Sequence, residues 1–545
     1  MSAPIIDPLR DDDETALEIG FALPERYNAS SILFDNLARG NGARAALHTR
    51  RGATTYAMLC EQAARYAQAF SSAGMQRGDR IMLVLDDTPT YPAAFFGALR
   101  AGCVPMLINT QSTPDLIRFY LQDSGARAAV VDADFMPLFD DATIAETALE
   151  IIIAADARNP SLGAVKIVGA ENFLAPFAGL GEAADTHRND MAFWMYSSGS
   201  TGRPKGVVHL QHDMAYAAQS YARHILKATR NDIFFSVPKI FFAYGLGNTL
   251  TFPFAVGASS ILLAGRPEPQ SIFEHIARHK PTIFFGLPTL YTALAHAPHI
   301  ADAHLSSIRL YISAAEVLAD EIAAAWKALT GREIVEGLGS TEMTHIYLSN
   351  SEGEKRAGSA GRRVPGYALK ITDSNGAPVA PGQEGVLWIK GHSSAPCYWR
   401  RPDKTAETMR GEWLWTGDRF VCDADGFHYF RGRADDLVKV SGQWVYPLEV
   451  ELCLANHPAV RECAVLAHEL EDRRMTLRSF VVLKKEAPPA SARQLQDYVK
   501  QKLVAYKYPR IVEFMTELPK TGTGKIDRRK LAERPVEGNR QAKPS

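Results

Sequence analysis

Three stretches of the chain alternate short apolar runs with helical patterns, and this alternation constrains the fold more than any other feature. In residues 80–109, the run IMLVL precedes a helix pattern from Pro92, which Gly102 ends before the run VPMLI. Residues 271–296 and 308–342 repeat the alternation. It predicts an α/β fold with doubly wound, mostly parallel sheets. Because ligands bind beyond the carboxyl ends of parallel strands, the loops after IRLYI and REIVE are expected at a site.

The length and a change of pattern near residue 433 predict two domains. A chain of 545 residues exceeds the size at which a single hydrophobic core stops growing. From about residue 433, helix and strand patterns follow one another at short intervals, as in a compact α+β unit. We therefore predict a large N-terminal domain at residues 1–432 and a small C-terminal domain at residues 433–545.

The composition excludes several classes of protein. Hydrophobic residues make up 46% of the chain, and the formal net charge of −1 offers no basic surface for nucleic acid or an anionic membrane. The six cysteines form no C-x-x-C pair, which indicates free thiols in a reducing compartment and predicts a cytoplasmic protein. Residues 240–265 carry no charge, but four glycines and Pro253 divide them into pieces too short to span a bilayer.

The segment SSGSTGRPKG, residues 197–206, has the composition of a loop that holds phosphates. Small residues let the backbone N–H groups approach a polyphosphate, and Lys205 supplies positive charge. It is not a Walker A loop, because Pro204 replaces the second glycine and Gly206 follows the lysine. The alternative is a flexible surface loop, as is common for segments rich in serine and glycine. The strand pattern directly before the loop favours phosphate binding.

Three further segments could complete a nucleotide site. In EGLGSTEMTH, Thr341 and Glu342 could hold a phosphate oxygen and a Mg²⁺ ion together. In WLWTGDRF and the following FRGRADD, Asp418 and Arg433 could reach a sugar and its phosphate. In PKTGTGKIDRRKL, Lys525 lies between glycine-rich flanks, although this motif alone is more typical of a basic C-terminal turn.

Taken together and in this order, the motifs resemble those of the acyl-adenylate-forming superfamily over roughly residues 30–531. The resemblance implies ATP, Mg²⁺ and coenzyme A as ligands, a mobile C-terminal domain with its hinge at Asp435, and Gly442 beside a coenzyme A channel. It implies that Lys525, Thr341 and Glu342 are catalytic, with Glu342 as the Mg²⁺ ligand. It also implies an ATP and AMP site formed by Ser197, Ser198, Gly199, Ser200, Thr201, Gly202, Lys205, Ala315, Glu316, Gly337, Leu338, Gly339, Ser340, Asp418 and Arg433. Many members have an aromatic residue where this chain has Leu338, so adenine would be held here by apolar contact.

Within the superfamily, the segments at 239–263, 284–296 and 337–350 resemble bacterial benzoate–CoA ligases. This resemblance implies an acyl pocket formed by Phe242, Ala243, Tyr244, Gly245, His345 and Ile346, whose apolar walls suit a flat aromatic acid. The expected activity is that of an AMP-forming acid–thiol ligase which converts benzoate or a close analogue to its CoA thioester. An enzyme for aminobenzoate or hydroxybenzoate, an enzyme that loads a carrier protein, and an inactive nucleotide-binding relative remain alternatives.

The remaining expectations concern metals and partners. His275 and His279 are spaced like a zinc-binding pair, but the acidic residue of H-E-x-x-H is missing, so we do not predict a metal there. The expected partners are small molecules. The sequence is compatible with a monomer or a homodimer, and Lys525 is a candidate for acetylation, which would remove its charge.

Overall fold

The computed structural model describes residues 13–154, 161–197, 203–298, 300, 304–314, 318, 320–434, 438–440, 443–470, 474–484, 490–521 and 526–536. The strands are β1 (Ala45–Thr49), β2 (Gly52–Thr55), β3 (Arg80–Val84), β4 (Val104–Leu107), β5 (Ala128–Val131), β6 (Ile151–Ala154), β7 (Ser161–Leu162), β8 (Val165–Gly169), β9 (Met191–Ser197), β10 (Lys205–Leu210), β11 (Ile233–Ser236), β12 (Ser259–Ile261), β13 (Ile283–Gly286), β14 (Leu310–Ser313), β15 (Ile334–Gly339), β16 (Ile346–Ser349), β17 (Arg362–Arg363), β18 (Ala368–Thr372), β19 (Glu384–Lys390), β20 (Met409–Arg410), β21 (Trp413–Cys422), β22 (His428–Arg433), β23 (Val438–Val440), β24 (Gln443–Val445), β25 (Val460–Glu469), β26 (Met475–Leu483) and β27 (Ile511–Phe514).

The α-helices are α1 (Glu14–Glu18), α2 (Ser31–Ala38), α3 (Tyr56–Ser72), α4 (Thr90–Arg100), α5 (Pro114–Ser124), α6 (Asp141–Ile144), α7 (Ala170–Leu174), α8 (Asp213–Ala217), α9 (Ala243–Leu246), α10 (Phe252–Val256), α11 (Pro269–His279), α12 (Pro288–Ala295), α13 (Asp320–Thr330), α14 (Pro402–Thr408), α15 (Pro447–Ala455), α16 (Ala492–Lys502) and α17 (Arg528–Ala532). Short 3₁₀ or π turns supplement them, among them a π turn at Gly247–Thr251 and a 3₁₀ turn at Thr341–Met343.

Two large sheets form the N-terminal part of the molecule. One has the strand order β10-β9-β4-β3-β5-β6-β8-β7, and the other β17-β16-β15-β14-β13-β11-β12-β1-β2. The interior pairs of both sheets are parallel, and antiparallel pairs lie at their edges. Strands such as β3 and β4 are buried almost throughout, which explains why they are continuous apolar runs in the sequence. The predicted α/β class is therefore confirmed.

The predicted alternation agrees with the observed elements. Residues 80–109 form β3, α4 and β4, and the turn between α4 and β4 contains Gly102 with φ of +73°. Residues 271–296 lie in α11, β13 and α12, and residues 308–342 contain β14, α13 and β15. The uncharged run at 240–265 is divided into the helical segments 243–256 and strand β12. None of the helices within the described ranges has the length and apolarity needed to traverse a bilayer.

A third sheet, which was not apparent from the sequence, is antiparallel and has the path β18-β19-β21-β20, and β22 also pairs with β21. It carries the predicted sugar-binding pair. Beyond it, β25, β26 and β27 form a separate three-stranded sheet, and α15 and α16 contribute to a hydrophobic cluster with Val450, Leu454, Leu477, Val481, Leu495 and Val499 at its centre. The division at residues 432 and 433, and the mobility of the C-terminal part, stay predictions.

Candidate active site

A cleft of about 2250 Å³ lies at the carboxyl ends of the parallel strands. Segments that follow β4, β11, β13, β14 and β15 line it, together with the β9–β10 and β21–β22 pairs and residues of the C-terminal part. Ala314, directly after β14, and residues 336–342, at the end of β15 and just beyond it, are among these lining residues. Both loops that the strand pattern indicated therefore reach one cleft, as expected for a doubly wound fold.

The predicted phosphate loop connects two antiparallel strands. Ser197 at the end of β9 pairs in register with Lys205 at the start of β10, and both line the cleft. The Lys205 Nζ lies 4.1 Å from the centre of the Tyr398 ring. The Ser197 Oγ is buried and has no hydrogen-bond partner among the described residues. Ser198, Gly199, Ser200, Thr201 and Gly202 lie outside the described residues.

The GLGSTE segment turns sharply because its glycines allow close packing. A Cβ at Gly337 would lie 2.8 Å from the Ile346 side chain, and one at Gly339 would lie 2.4 Å from the His345 carbonyl oxygen. These contacts bring β15 against β16, and the 3₁₀ turn between the two strands presents Thr341 and Glu342 to the cleft. The Ser340 Oγ is buried there and is also without a partner in the described part of the chain.

The Glu342 side chain is oriented by a residue distant in the sequence. The Tyr398 hydroxyl donates to its Oε1 at 2.8 Å, and the Ala395 N–H donates to its backbone carbonyl at 2.7 Å. A single carboxylate fits the usual binding mode of Mg²⁺, in which one or two carboxylates and the substrate phosphates provide the oxygens. No cluster of three potential metal-binding side chains occurs among the described residues, so Glu342 would share the ion with bound phosphates.

Asp418 and Arg433 come together across the third sheet. They pair in register on β21 and β22, and the Arg433 Nη1 lies 3.2 Å from the Asp418 Oδ1. Both line the cleft. A carboxylate beside a guanidinium can accept hydrogen bonds from sugar hydroxyls while the cation faces a phosphate. Leu338 also lines the cleft and offers the apolar surface expected next to adenine.

Five of the six predicted acyl-pocket residues line the same cleft, namely Phe242, Ala243, Tyr244, His345 and Ile346. Gly245 is not among the lining residues. A Cβ at this position would lie 1.9 Å from the Lys239 carbonyl oxygen, so Gly245 allows close backbone packing behind the pocket. The contribution of Gly245 to the acyl pocket stays a prediction.

His345 is the polar centre of this aromatic pocket. Its ring packs against Tyr221, Tyr244 and Phe252 with centroid distances of 4.5–5.5 Å. The His345 Nε2 lies 3.1 Å from the Asn248 Oδ1, while its Nδ1 is buried without a hydrogen-bond partner in the described structure. Burial lowers the pKa of His345 to about 3, so the imidazole is neutral at physiological pH.

Several predicted site residues lie outside the described residues, namely Ala315, Glu316, Asp435, Gly442 and Lys525. Their roles stay predictions. Conversely, two residues of the site were not apparent from the sequence: Tyr398, which donates to Glu342, and Asn248, which contacts His345. Neither belongs to a motif. The sequence does offer one signal for Asn248, which is a polar residue inside an uncharged run. When such a residue is buried, it is usually hydrogen-bonded to a specific partner.

Residues 34–399 match the family described as AMP-binding enzyme, and residues 449–525 match the AMP-binding enzyme C-terminal domain. The chain belongs to the AMP-binding enzyme family. The superfamily that the ordered motifs indicated is thereby confirmed. Among relatives of this AMP-binding enzyme, a benzoate–CoA ligase from Thauera aromatica is 43% identical, with 93% of this chain and 96% of the relative aligned.

Solved structures agree with this assignment. An anthranilate CoA ligase, AuaEII, in complex with anthranoyl-AMP has a TM-score of 0.87 at 38% identity and covers 93% of this AMP-binding enzyme and 97% of its own chain. A benzoate CoA ligase from Burkholderia xenovorans LB400 has a TM-score of 0.85 at 39% identity, covering 93% of this chain and 100% of its own.

Proposed function

We propose that this AMP-binding enzyme is an aryl-CoA ligase that converts ATP, benzoate or a close aromatic acid, and coenzyme A into the aroyl-CoA thioester, AMP and pyrophosphate. The observation that carries the proposal is the position of the aromatic pocket around Tyr244 and His345. It lies in the same cleft as the Thr341–Glu342 turn. An acid held there would have its carboxylate near the nucleotide phosphates. Relatives named as benzoate–CoA ligases support the choice of acid.

The first step joins the acid to AMP. A carboxylate oxygen of the acid attacks the α-phosphorus of ATP, a new C–O–P linkage forms, and the bond to pyrophosphate breaks. Because two anions approach one another, the site must neutralise negative charge. In our proposal, Lys205 and the 197–206 loop hold the leaving pyrophosphate, Thr341 bonds a phosphate oxygen, and Lys525 faces the α-phosphate. Mg²⁺ held by Glu342 would supply further neutralising charge.

The second step transfers the acyl group to sulfur. The thiol of coenzyme A attacks the acyl carbonyl, the C–S bond forms, the C–O bond to AMP breaks, and the thiol proton leaves to solvent. This step no longer involves pyrophosphate, so Lys525 is not needed beside the phosphate. We propose that rotation about Asp435 withdraws Lys525 and brings the backbone at Gly442 to the coenzyme A channel.

A second candidate substrate is an aromatic acid with a polar ring substituent. The unpartnered Nδ1 of His345 favours it, because a buried polar atom gains a hydrogen bond when an amino or hydroxyl group is placed within reach. The relative crystallised with anthranoyl-AMP acts on such an acid according to its name. An enzyme that loads a carrier protein remains an alternative acceptor choice.

The test is a panel of benzoate, aminobenzoates, hydroxybenzoates, cyclohexanecarboxylate and fatty acids, with pyrophosphate release and CoA thioester measured separately. We expect both products with benzoate or one of its amino or hydroxyl derivatives. Thioester formation with a carrier protein and not with free CoA would refute the CoA ligase. The Lys525→Ala variant should lose pyrophosphate release yet form thioester from supplied benzoyl-adenylate. Equal loss of both activities would contradict the domain rotation.

We also propose that the enzyme acts in the cytoplasm and that acetylation of Lys525 would switch off its first step. All six cysteines are free thiols, which suits a reducing compartment. Acetylation removes the positive charge that faces the α-phosphate in this mechanism. The proposed acetylation is tested by incubating the enzyme with an acetyl donor and then applying mass spectrometry and the pyrophosphate assay. Loss of activity should track the fraction acetylated at Lys525.

A further inference from the structure

The turn that carries Thr341 and Glu342 ends in a strained residue. Thr344 has φ of +65°, a left-handed conformation that is unfavourable for a β-branched side chain. Such a conformation persists only where surrounding contacts hold it, and it is found most often at functional sites. The groups that hold this turn therefore bear on the geometry of both proposed phosphate and metal contacts.

One buried imidazole contacts both ends of the turn. The His209 Nε2 lies 2.9 Å from the Thr341 carbonyl oxygen. Because a carbonyl only accepts, the Nε2–H is the donor. On the other side of the ring, the His209 Nδ1 lies 3.1 Å from the Thr344 Oγ1 and 2.8 Å from the Asp213 Oδ2.

The imidazole is itself fixed in place. The His209 side chain has no solvent exposure and stacks on the Phe193 ring with centroids 5.0 Å apart and planes 22° apart. Asp213, four residues further on, is equally buried, and it also accepts the Leu210 N–H at 3.1 Å. The ring therefore cannot turn away from the 341–344 turn without breaking contacts on both nitrogens and one face.

The strand that carries His209 also carries the phosphate-binding lysine. Lys205 and His209 lie on β10 four residues apart, so their side chains leave the same face of the strand. Lys205 faces the cleft at one end of this face, and His209 contacts the Thr341–Thr344 turn at the other. Strand β10 thus connects the two segments that would hold the triphosphate and its metal ion.

We propose that His209 is a positioning residue for the adenylation step. It holds the Thr341–Glu342 turn at a fixed distance from Lys205, so that the phosphates and Mg²⁺ are bound in one geometry. This inference rests on the proposed function, in which those residues bind MgATP. It predicts that His209 matters for the step that uses the triphosphate and not for the step that uses the acyl-adenylate.

The test compares His209→Asn with His209→Gln. The glutamine side chain places an amide N–H near the Nε2 position and can still donate to the Thr341 carbonyl, whereas the asparagine amide ends near Nδ1. We expect His209→Asn to lower kcat/KM for pyrophosphate release about 10–100-fold and to raise the Mg²⁺ concentration needed for half the maximal rate, the range typical of groups that orient metal ligands. His209→Gln should recover most of this loss. Thioester formation from supplied benzoyl-adenylate and CoA should change little in either variant.

The matched control is His275→Asn. His275 is also buried and stacks on Phe235, but its Nδ1 bonds the Ser271 carbonyl instead of the turn. Equal losses in His275→Asn and His209→Asn, equal losses in both half-reactions, or no difference between the asparagine and glutamine variants would each overturn the proposal. If His209→Asn does not fold, Thr344→Ala against Thr344→Ser provides the second comparison, because only serine keeps the hydroxyl that contacts Nδ1 and donates to the Ser393 carbonyl.

The test of His209 can be separated from the test of the proposed aryl-CoA ligase activity. A wild-type protein that forms no aroyl-adenylate from any acid on the panel refutes the aryl-CoA ligase. MgATP binding measured by calorimetry then tests His209 without an acid. Weaker binding in His209→Asn with recovery in His209→Gln supports the positioning role, and equal binding in all three proteins refutes it.

Discussion

Removal of one hydroxyl group, in Tyr398→Phe, tests the proposed metal site directly. The Tyr398 hydroxyl donates to the Glu342 Oε1 at 2.8 Å, and the ring beneath it faces the Lys205 Nζ at 4.1 Å. Phenylalanine keeps the ring and its contact with the lysine. Burial, with Glu342 nearby, raises the pKa of Tyr398 above its usual value, so the wild-type phenol is a protonated donor at any working pH. The substitution therefore removes the donor to the carboxylate together with the hydrogen bond between this hydroxyl and Thr408.

The magnitude follows from the kind of hydrogen bond that is lost. Loss of a group that orients a metal-binding carboxylate typically lowers metal affinity 10–100-fold, so Tyr398→Phe should weaken Mg²⁺ binding by roughly 10–100-fold. Water can enter this cleft and replace part of the bond, which favours the lower end of the range. The effect should fall on Mg²⁺ dependence, while the KM for the aromatic acid stays close to the wild-type value.

The assay is pyrophosphate release at saturating ATP and acid over a range of Mg²⁺ concentrations. Tyr429→Phe is the matched control, because the Tyr429 hydroxyl donates to the Asp423 Oδ2 at 3.1 Å and Tyr429 does not line the cleft. We expect this control to behave like wild type. A wild-type Mg²⁺ dependence in Tyr398→Phe would refute the assignment of Glu342 as the metal ligand, as would an equal shift in Tyr429→Phe.

Two further predictions concern the acyl pocket. The pKa of His345 is about 3 in the folded state, against a usual value of 6.5. Between these two pH values the folded state therefore binds fewer protons than the unfolded state. The free energy of unfolding that His345 contributes is thus fully present above pH 6.5 and declines as the pH falls below it. Wild type should lose about 2 kcal/mol more than His345→Gln between pH 7.5 and 5, measured by urea unfolding at each pH; parallel curves would contradict this. The Lys239 Nζ bonds the Asp86 Oδ1 at 2.7 Å, just before the pocket in the sequence. Lys239→Met should therefore lower the free energy of unfolding by about 3 kcal/mol and raise the KM for the acid. The control Lys327→Met, at an exposed ion pair, should lower it by less than about 1 kcal/mol. Equal decreases in Tm for Lys239→Met and Lys327→Met would refute the predicted difference.

The fold class could be predicted because each buried strand and its helix are consecutive in the sequence. Strands β3, β4, β13 and β14 are continuous apolar runs, and the residues between them have helical periodicity. The antiparallel sheet that contains β19 escaped prediction. Strand β19 alternates between more and less buried positions, and long connections separate it from its partner strands β18 and β21. Alternation over a few residues does not reveal which strand will be its neighbour.

The residues of the candidate site also differ in whether the sequence could predict them. Residues within one loop, such as Thr341 and Glu342, were predictable because the loop follows a strand whose carboxyl end faces the cleft. Tyr398 and His209 were not, because their roles depend on contacts with a turn that lies 56 and 132 residues away. The sequence does contain one local sign of the role of His209, since His209 and Asp213 are four residues apart. Only the fold shows that the imidazole they fix contacts the Thr341 carbonyl.

The geometry of the phosphate loop explains why so many separate cations are expected around one triphosphate. A Walker A loop leads from a strand into a helix, whose N-terminus supplies aligned N–H groups and a positive dipole end. Here the loop joins antiparallel strands, β9 and β10, and Lys205 at its far end begins a strand instead of a helix. The missing positive potential must come from side chains and a metal ion instead. That requirement would account for Lys205 on the strand, for the proposed role of the Glu342 carboxylate as a Mg²⁺ ligand, and for the proposed arrival of Lys525 from the C-terminal part. Because these groups lie on separate segments, their relative positions must be fixed by contacts such as those of His209 and Tyr398.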